Sequence, residues 1–154
     1  MRWWKSTIAA ILLVPLVTVV AHGAEVAPDD VVFGDEGVEG SLTGSTGDPV
    51  AGAEIFKSRK EGNCLACHAN SGMQDELFHG TVGPAMDGVA DRYEAPTLRA
   101  IVVNAKKIFT DETVMPGFYS LDVGLHVAEK FAGETILSAQ QIEDVVAYLE
   151  TLKE

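Results

Sequence analysis

The chain has 154 residues, 47% of them hydrophobic, with 23 acidic side chains against 11 basic ones and a net charge of −12. Nucleic-acid affinity comes from neutralised phosphates, so a polyanion of this size is excluded from that role, and an anionic membrane surface repels it as well. A partner with a basic or neutral docking face suits it.

The first segment is MRWWKSTIAAILLVPLVTVVAHGA. Arg2 and Lys5 form a basic start, Thr7 to Val20 is almost unbroken apolar, and small residues follow at Ala21 and Gly23. This is the pattern of a secretory signal peptide over residues 1–23, cleaved after Gly23 or after Ala21. The apolar run is short for a membrane anchor and is interrupted by Pro15. Export to the periplasm is the expectation, with no membrane insertion after cleavage. Cleavage removes two cations and no anions, so the mature chain is more acidic still.

Residues 24–47 form an irregular arm rich in acid and glycine. Such a segment cannot bury enough apolar surface to fold alone. Its apolar spots, Val31-Val32-Phe33 and Leu42, do not repeat with a helical period, and Phe33 and Leu42 would be wasted in a flexible tail, so two readings stand: a solvated tail, or an arm laid along this domain or a partner. Residues 48–154 form one domain of sufficient size for a core. Asp48-Pro49 is an N-cap followed by proline at the first helical position, opening a helix to about Lys60. Gly52 and Phe56 share a face of it, where a missing side chain lets another helix approach. A second helix starts near Pro96, turns Leu98, Ile101 and Val102 inward, and ends at Lys106 and Lys107, which suit its negative pole. The last helix is announced by Ser138 and Gln141 as a capping box, with Ile142, Val145, Val146 and Leu149 at i, i+3, i+4 and i+7. No segment alternates with period two. The expected fold is all-α, three or more helices with long loops. The connections 69–95 and 108–137 are unusually long for a compact domain unless a non-peptide interior organises them.

The only two cysteines stand in GNCLACH, residues 62–68. C-x-x-C-H in an exported chain is the attachment signature of c-type haem. Cys64 and Cys67 would each add to a vinyl group of one macrocycle, and His68 would supply the fifth ligand of the iron. The other imidazole nitrogen then needs an acceptor to fix its tautomer. A zinc finger lacks a second ligand pair, a thioredoxin-like pair would follow a strand, and a disulfide here would close a tiny loop. For the sixth ligand the candidates are Met73, Met86, Met115, His79 and His126. Met73 is too close to His68, and Met86 follows Gly83-Pro84. Met115 lies beyond a helix with enough chain to reach the opposite face, and Pro116 holds it extended. Met115 is the first choice and His126 the main alternative. Met115 and His68 together would close both faces of the iron and leave outer-sphere electron transfer as its chemistry.

With the Gly52/Phe56 helix, CLACH, Gly83-Pro84, an MP loop and a terminal helix carrying Tyr148, the chain resembles the class I cytochromes c. The resemblance implies one covalent haem c, a Pro84 carbonyl accepting from His68, and a crossing of first and last helices at the glycine. GSLTGSTGDPVAGAEIF, FHGTVGPAMDGVADRY, LRAIVVNAKKIF, TVMPGFYS and VAEKFAGETILSAQQIEDVVAYLETL resemble SoxX more narrowly, the monohaem subunit family of SoxAX thiosulfate-oxidising cytochromes. The chain departs from that family at Ala85-Met86, where Ser-Leu is common, and at MPGF, where MPAF is common. The resemblance implies a heterodimer with a SoxA-type cytochrome subunit. That complex is an L-cysteine S-thiosulfotransferase, which couples thiosulfate to a cysteine of a sulfur-carrier protein. This chain would be its redox subunit, passing electrons to a downstream cytochrome. With both cysteines in thioethers it has no free thiol, so the sulfur chemistry belongs on the partner and no catalytic residue is expected here. A free-standing soluble electron carrier, and a non-redox metal or disulfide protein, are the competing readings.

Overall fold

The computed structural model describes residues 23–122, 124 and 126–154. Apart from Gly23, the expected signal peptide lies outside the described residues. Among the described residues four helices carry the fold: α1 (Pro49–Lys57), α2 (Val89–Arg92), α3 (Ala95–Ile108) and α4 (Ala139–Leu149). Short 3-10 turns occupy Pro28–Asp30, Cys64–Ala66, Ser71–Met73 and Glu129–Phe131. Among the described residues the only β pairing is one bridge between Gly34 and Gly37. The all-helical expectation holds.

The helix ends follow from local chemistry. Asp48 Oδ1 accepts the Val50 N–H at 2.8 Å, with Pro49 in the first turn. This helix stops at Lys57, three residues before the expected Lys60. Ser58 is extended, and its carbonyl takes the N–H groups of Glu61 and Asn63 at 3.1 and 2.9 Å, a tight turn that delivers Cys64. At α4 the capping box is complete: Ser138 Oγ accepts the Gln141 N–H, and Gln141 Oε1 accepts the Ser138 N–H at 2.9 Å. Ile142, Val145, Val146 and Leu149 are all buried, each contributing about 1.5–3 kcal/mol of apolar transfer.

The most extensive helix contact is α1 on α4, and α3 packs beside them on α4. The first pair touch at Gly52, where a Cβ would lie 1.9 Å from the Asp144 carbonyl oxygen. Only glycine permits that approach. One turn on, Phe56 meets the ring of Tyr148 edge to face, centroids 5.5 Å apart. Helix α3 buries Leu98, Val102 and Val103 but is interrupted at Asn104, where φ is −158° and ψ is 92°.

The acidic arm lies on its own domain. Val38 and Leu42 are buried in the core, and Val31 and Phe33 pack against it, while Val32 is exposed. Two buried charges hold the arm down. Arg99 of α3 donates to Glu143 of α4 through Nε at 2.9 Å and Nη2 at 3.0 Å, and its Nη1 donates to the Val38 carbonyl at 2.9 Å. Glu143 Oε1 also accepts the Leu42 N–H at 2.9 Å. Leu42 is thus used at home and is not a stranded residue awaiting a partner.

Candidate haem site

The connection after α1 winds a 3-10 turn at Cys64–Ala66, so the Cys67 and His68 N–H groups both reach the Cys64 carbonyl, at 3.0 and 2.9 Å. This places Cys64, Cys67 and His68 together on the rim of a cavity of about 910 Å³. That volume sits in the range of cofactor pockets. Phe56 from α1, Leu98, Ile101 and Val102 from α3, and Val145 and Leu149 from α4 form its floor. The two long connections supply the remaining walls, through Val82, Met86, Phe109, Val114, Phe118 and Leu137. Among the lining side chains only Glu61 and Arg92 are carboxylate or guanidinium. The loops are long because they enclose this apolar space and not a peptide core.

His68 Nδ1 lies 2.7 Å from the Pro84 carbonyl oxygen. A carbonyl only accepts, so Nδ1 carries the proton and Nε2 keeps its lone pair for a metal. The Gly83 backbone runs against the imidazole so closely that a Cβ there would be 2.3 Å from Cε1. Arg92 fastens this loop, its Nη1 and Nη2 donating to the carbonyls of Asp87 and Ala85 at 2.7 and 2.8 Å.

Met115, half-buried, lines the same cavity beside Pro116. Met86 lines it too, but its N–H is tied to the Ala69 carbonyl at 2.8 Å, beside His68 in the chain. Met73 packs against the core and is not on the cavity wall, and His126 is exposed and away from it. His79 is engaged elsewhere: its Nδ1 accepts the Asn70 N–H at 3.2 Å and its Nε2 donates to the Met73 carbonyl at 3.0 Å. Asn70, which the sequence reading passed over, is 1% exposed and donates to the Tyr148 hydroxyl at 2.7 Å. A polar residue in a loop without periodicity gives no signal of burial. His79 and Asn70 together pin the segment that follows the cysteine motif to α4.

The donors fit a porphyrin iron. Two thiols on the edge of a large apolar cavity, one oriented imidazole and a thioether on the wall match covalent haem. Among the described residues no group of three or more His, Cys, Asp or Glu is arranged to hold a bare metal ion. Burial pushes the Cys64 thiol up to about 12, the reverse of the depressed value that a catalytic redox thiol needs.

The family model for cytochrome c matches residues 49–153, and no curated protein matches the chain. Among solved structures the chain is similar to the crystal structure of SoxXA from P. pantotrophus. Identity is 45%, the match covers 85% of this chain and 100% of that chain, and the TM-score is 0.78. With the cysteine motif, the oriented His68 and the apolar cavity already in place, these matches show that the chain belongs to the cytochrome c family, as a SoxX-type member.

Proposed function

We propose that this chain is the electron-accepting subunit of a periplasmic SoxAX-type complex that couples thiosulfate oxidatively to a cysteine of a carrier protein. The observation that carries the reading is the apolar cavity whose rim bears both thiols and an imidazole oriented by Pro84. The 45% identity over the whole of a SoxXA chain supports the choice of complex.

In this reading Cys64 and Cys67 would hold one haem c through thioethers, and His68 Nε2 and Met115 would supply the ligands to its iron. When bound, the haem supplies a one-electron iron couple, whose potential a thioether ligand raises relative to two imidazoles. Pro84 keeps His68 in the tautomer that can ligate, and the apolar wall excludes water from the site. With His68 and Met115 both as ligands, the iron would offer no open position to thiosulfate or oxygen, and the chemistry supplied here would be electron relay. Sulfur–sulfur bond formation removes two electrons and a proton from thiosulfate and a thiol. The chain has two cysteines, both committed to thioethers, so that bond forms on the partner. A one-electron couple in this chain would hold only one of those two electrons at a time, so the other would go to the partner or follow in a second transfer.

Among the described residues no helix is long and apolar enough to cross a membrane. Export rests on the 1–23 signal pattern.

The test is expression of the tagged chain with its maturation machinery and the candidate SoxA-type subunit. A haem that survives acid–acetone extraction and copurification of the second haem subunit are expected. Met115→Ala should abolish the low-spin thioether-ligated spectrum. A strictly monomeric product would favour a free-standing periplasmic electron carrier instead, and an unchanged spectrum in Met115→Ala would remove Met115 from the iron.

A further inference from the structure

Helix α3 does not run unbroken into the loop that carries Met115. At Asn104 the backbone is extended, and the Asn104 Oδ1 accepts the Lys106 N–H at 3.2 Å. Asn104 therefore stops one helical segment and N-caps the next, a position that favours asparagine. In an unbroken helix the Lys106 N–H would use the Val102 carbonyl. That carbonyl instead takes the Phe118 N–H at 3.2 Å, and the Val103 carbonyl takes the Tyr119 N–H at 3.1 Å. The chain leaving Met115 is thus hydrogen-bonded to α3 just before the break. The chain arriving at Met115 is held by the segment just after it: Lys106 Nζ donates to the carbonyls of Asp111, at 3.0 Å, and Thr113. Between the two, the Asn104 side chain lies against Gly117, where a Cβ would stand 3.0 Å from its Cγ.

We propose that Asn104 is a positioning residue for Met115: by breaking α3 it anchors the Met115 loop on both flanks. A thioether on three rotatable bonds is a compliant, weak ligand, so its place depends on how firmly the backbone carrying it is held. The inference rests on Met115 being the axial ligand. It adds that α3, and not the loop's own sequence, sets the strength of that ligation.

The experiment is imidazole titration of the matured ferric protein, followed by the weak far-red band of thioether-bound ferric haem. Wild type, Asn104→Ala, Asn104→Asp and Met115→Ala are compared. Asn104→Ala should bind imidazole about fivefold more tightly than wild type, the factor that loss of an ordinary cap gives. Asn104→Asp, whose carboxylate can accept the same N–H, should restore near-wild-type affinity. Wild-type affinity in Asn104→Ala, while Met115→Ala has lost the band, overturns the role of Asn104. A band that persists in Met115→Ala overturns the ligand assignment itself, and the two failures are distinguishable. Should Asn104→Ala fail to mature, Lys106→Met removes the ammonium from Asp111 and Thr113 while leaving the break in α3. It should tighten imidazole binding in the same direction, and unchanged binding there also overturns the proposal.

Discussion

At the scale of single residues, the constraint that bears most directly on the imidazole is at Gly83. His68 is held from one side by the Pro84 carbonyl and from the other by the Gly83 backbone. A Cβ at 2.3 Å from Cε1 forces either the ring or the loop to move, and the loop is fastened by Arg92. The ring is then the part that yields, which breaks the Nδ1 hydrogen bond and misaligns Nε2. Gly83→Ala is expected to cost about 1–3 kcal/mol as an overpacking change and to lower the yield of low-spin holoprotein. Thermal unfolding and the haem-to-protein absorbance ratio measure the two effects. A variant with wild-type values in both would mean that the imidazole can shift aside without losing its hydrogen bond to Pro84. Cys64, Cys67 and His68 were legible in the sequence because the haem-attachment signature is a matter of spacing along the chain. The role of Gly83 was not, because a glycine next to a proline reads as a turn until the ring it touches is in place.

At the scale of elements, the Arg99–Glu143 pair joins α3, α4 and the arm in one contact. Both side chains are almost fully buried, where losing one partner of an ion pair is far more costly than losing both. Arg99→Met leaves Glu143 buried without its cation and should destabilise by about 3–5 kcal/mol. Adding Glu143→Leu should recover part of that loss. The recovery is incomplete because the Leu42 N–H then has no acceptor, an orphan worth about 1–3 kcal/mol. Urea unfolding of the three proteins, followed by circular dichroism, tests the order. A single variant as stable as the wild type would show that the pair contributes nothing. Helix α4 was legible in the sequence, because a capping box and four apolar residues on one stripe specify a helix locally. The start of α3 was legible to within one residue, but the interruption at Asn104 was not, since the apolar period continues across it. Nor was the burial of Arg99, Glu143 and Asp144. Charged residues on a helix read as a solvated face, and it is the arm over Arg99 and Glu143 and the start of α1 over Asp144 that make them interior.

At the scale of the whole molecule, the arm is the part whose attachment can be followed by pH. It is fastened far from Arg99 by Tyr119, whose hydroxyl donates to the Val26 carbonyl at 2.7 Å and to Glu25 at 3.1 Å. Burial first, and then the hydrogen bond to Glu25, push the Tyr119 phenol up from 10.0 to about 12. The folded state therefore keeps a proton that the unfolded chain gives up near pH 10. Below pH 10 the contribution of Tyr119 is fully present. As pH rises from 10 towards 12 the unfolded state ionises first, and stability falls by at most about 1.4 kcal/mol per pH unit for this one group. Tyr148 is shifted in the same direction by burial, so some alkaline slope remains without Tyr119. Tyr119→Phe should lower stability at neutral pH by about 1 kcal/mol, the net worth of a buried hydroxyl bond. It should also flatten the decline between pH 10 and 12. Denaturant midpoints at neutral pH and across that window provide both quantities. Parallel wild-type and variant curves up to pH 12 would mean that the phenol is not sequestered beneath the arm. The contact that ties residues 25 and 26 to the domain would then be absent in solution.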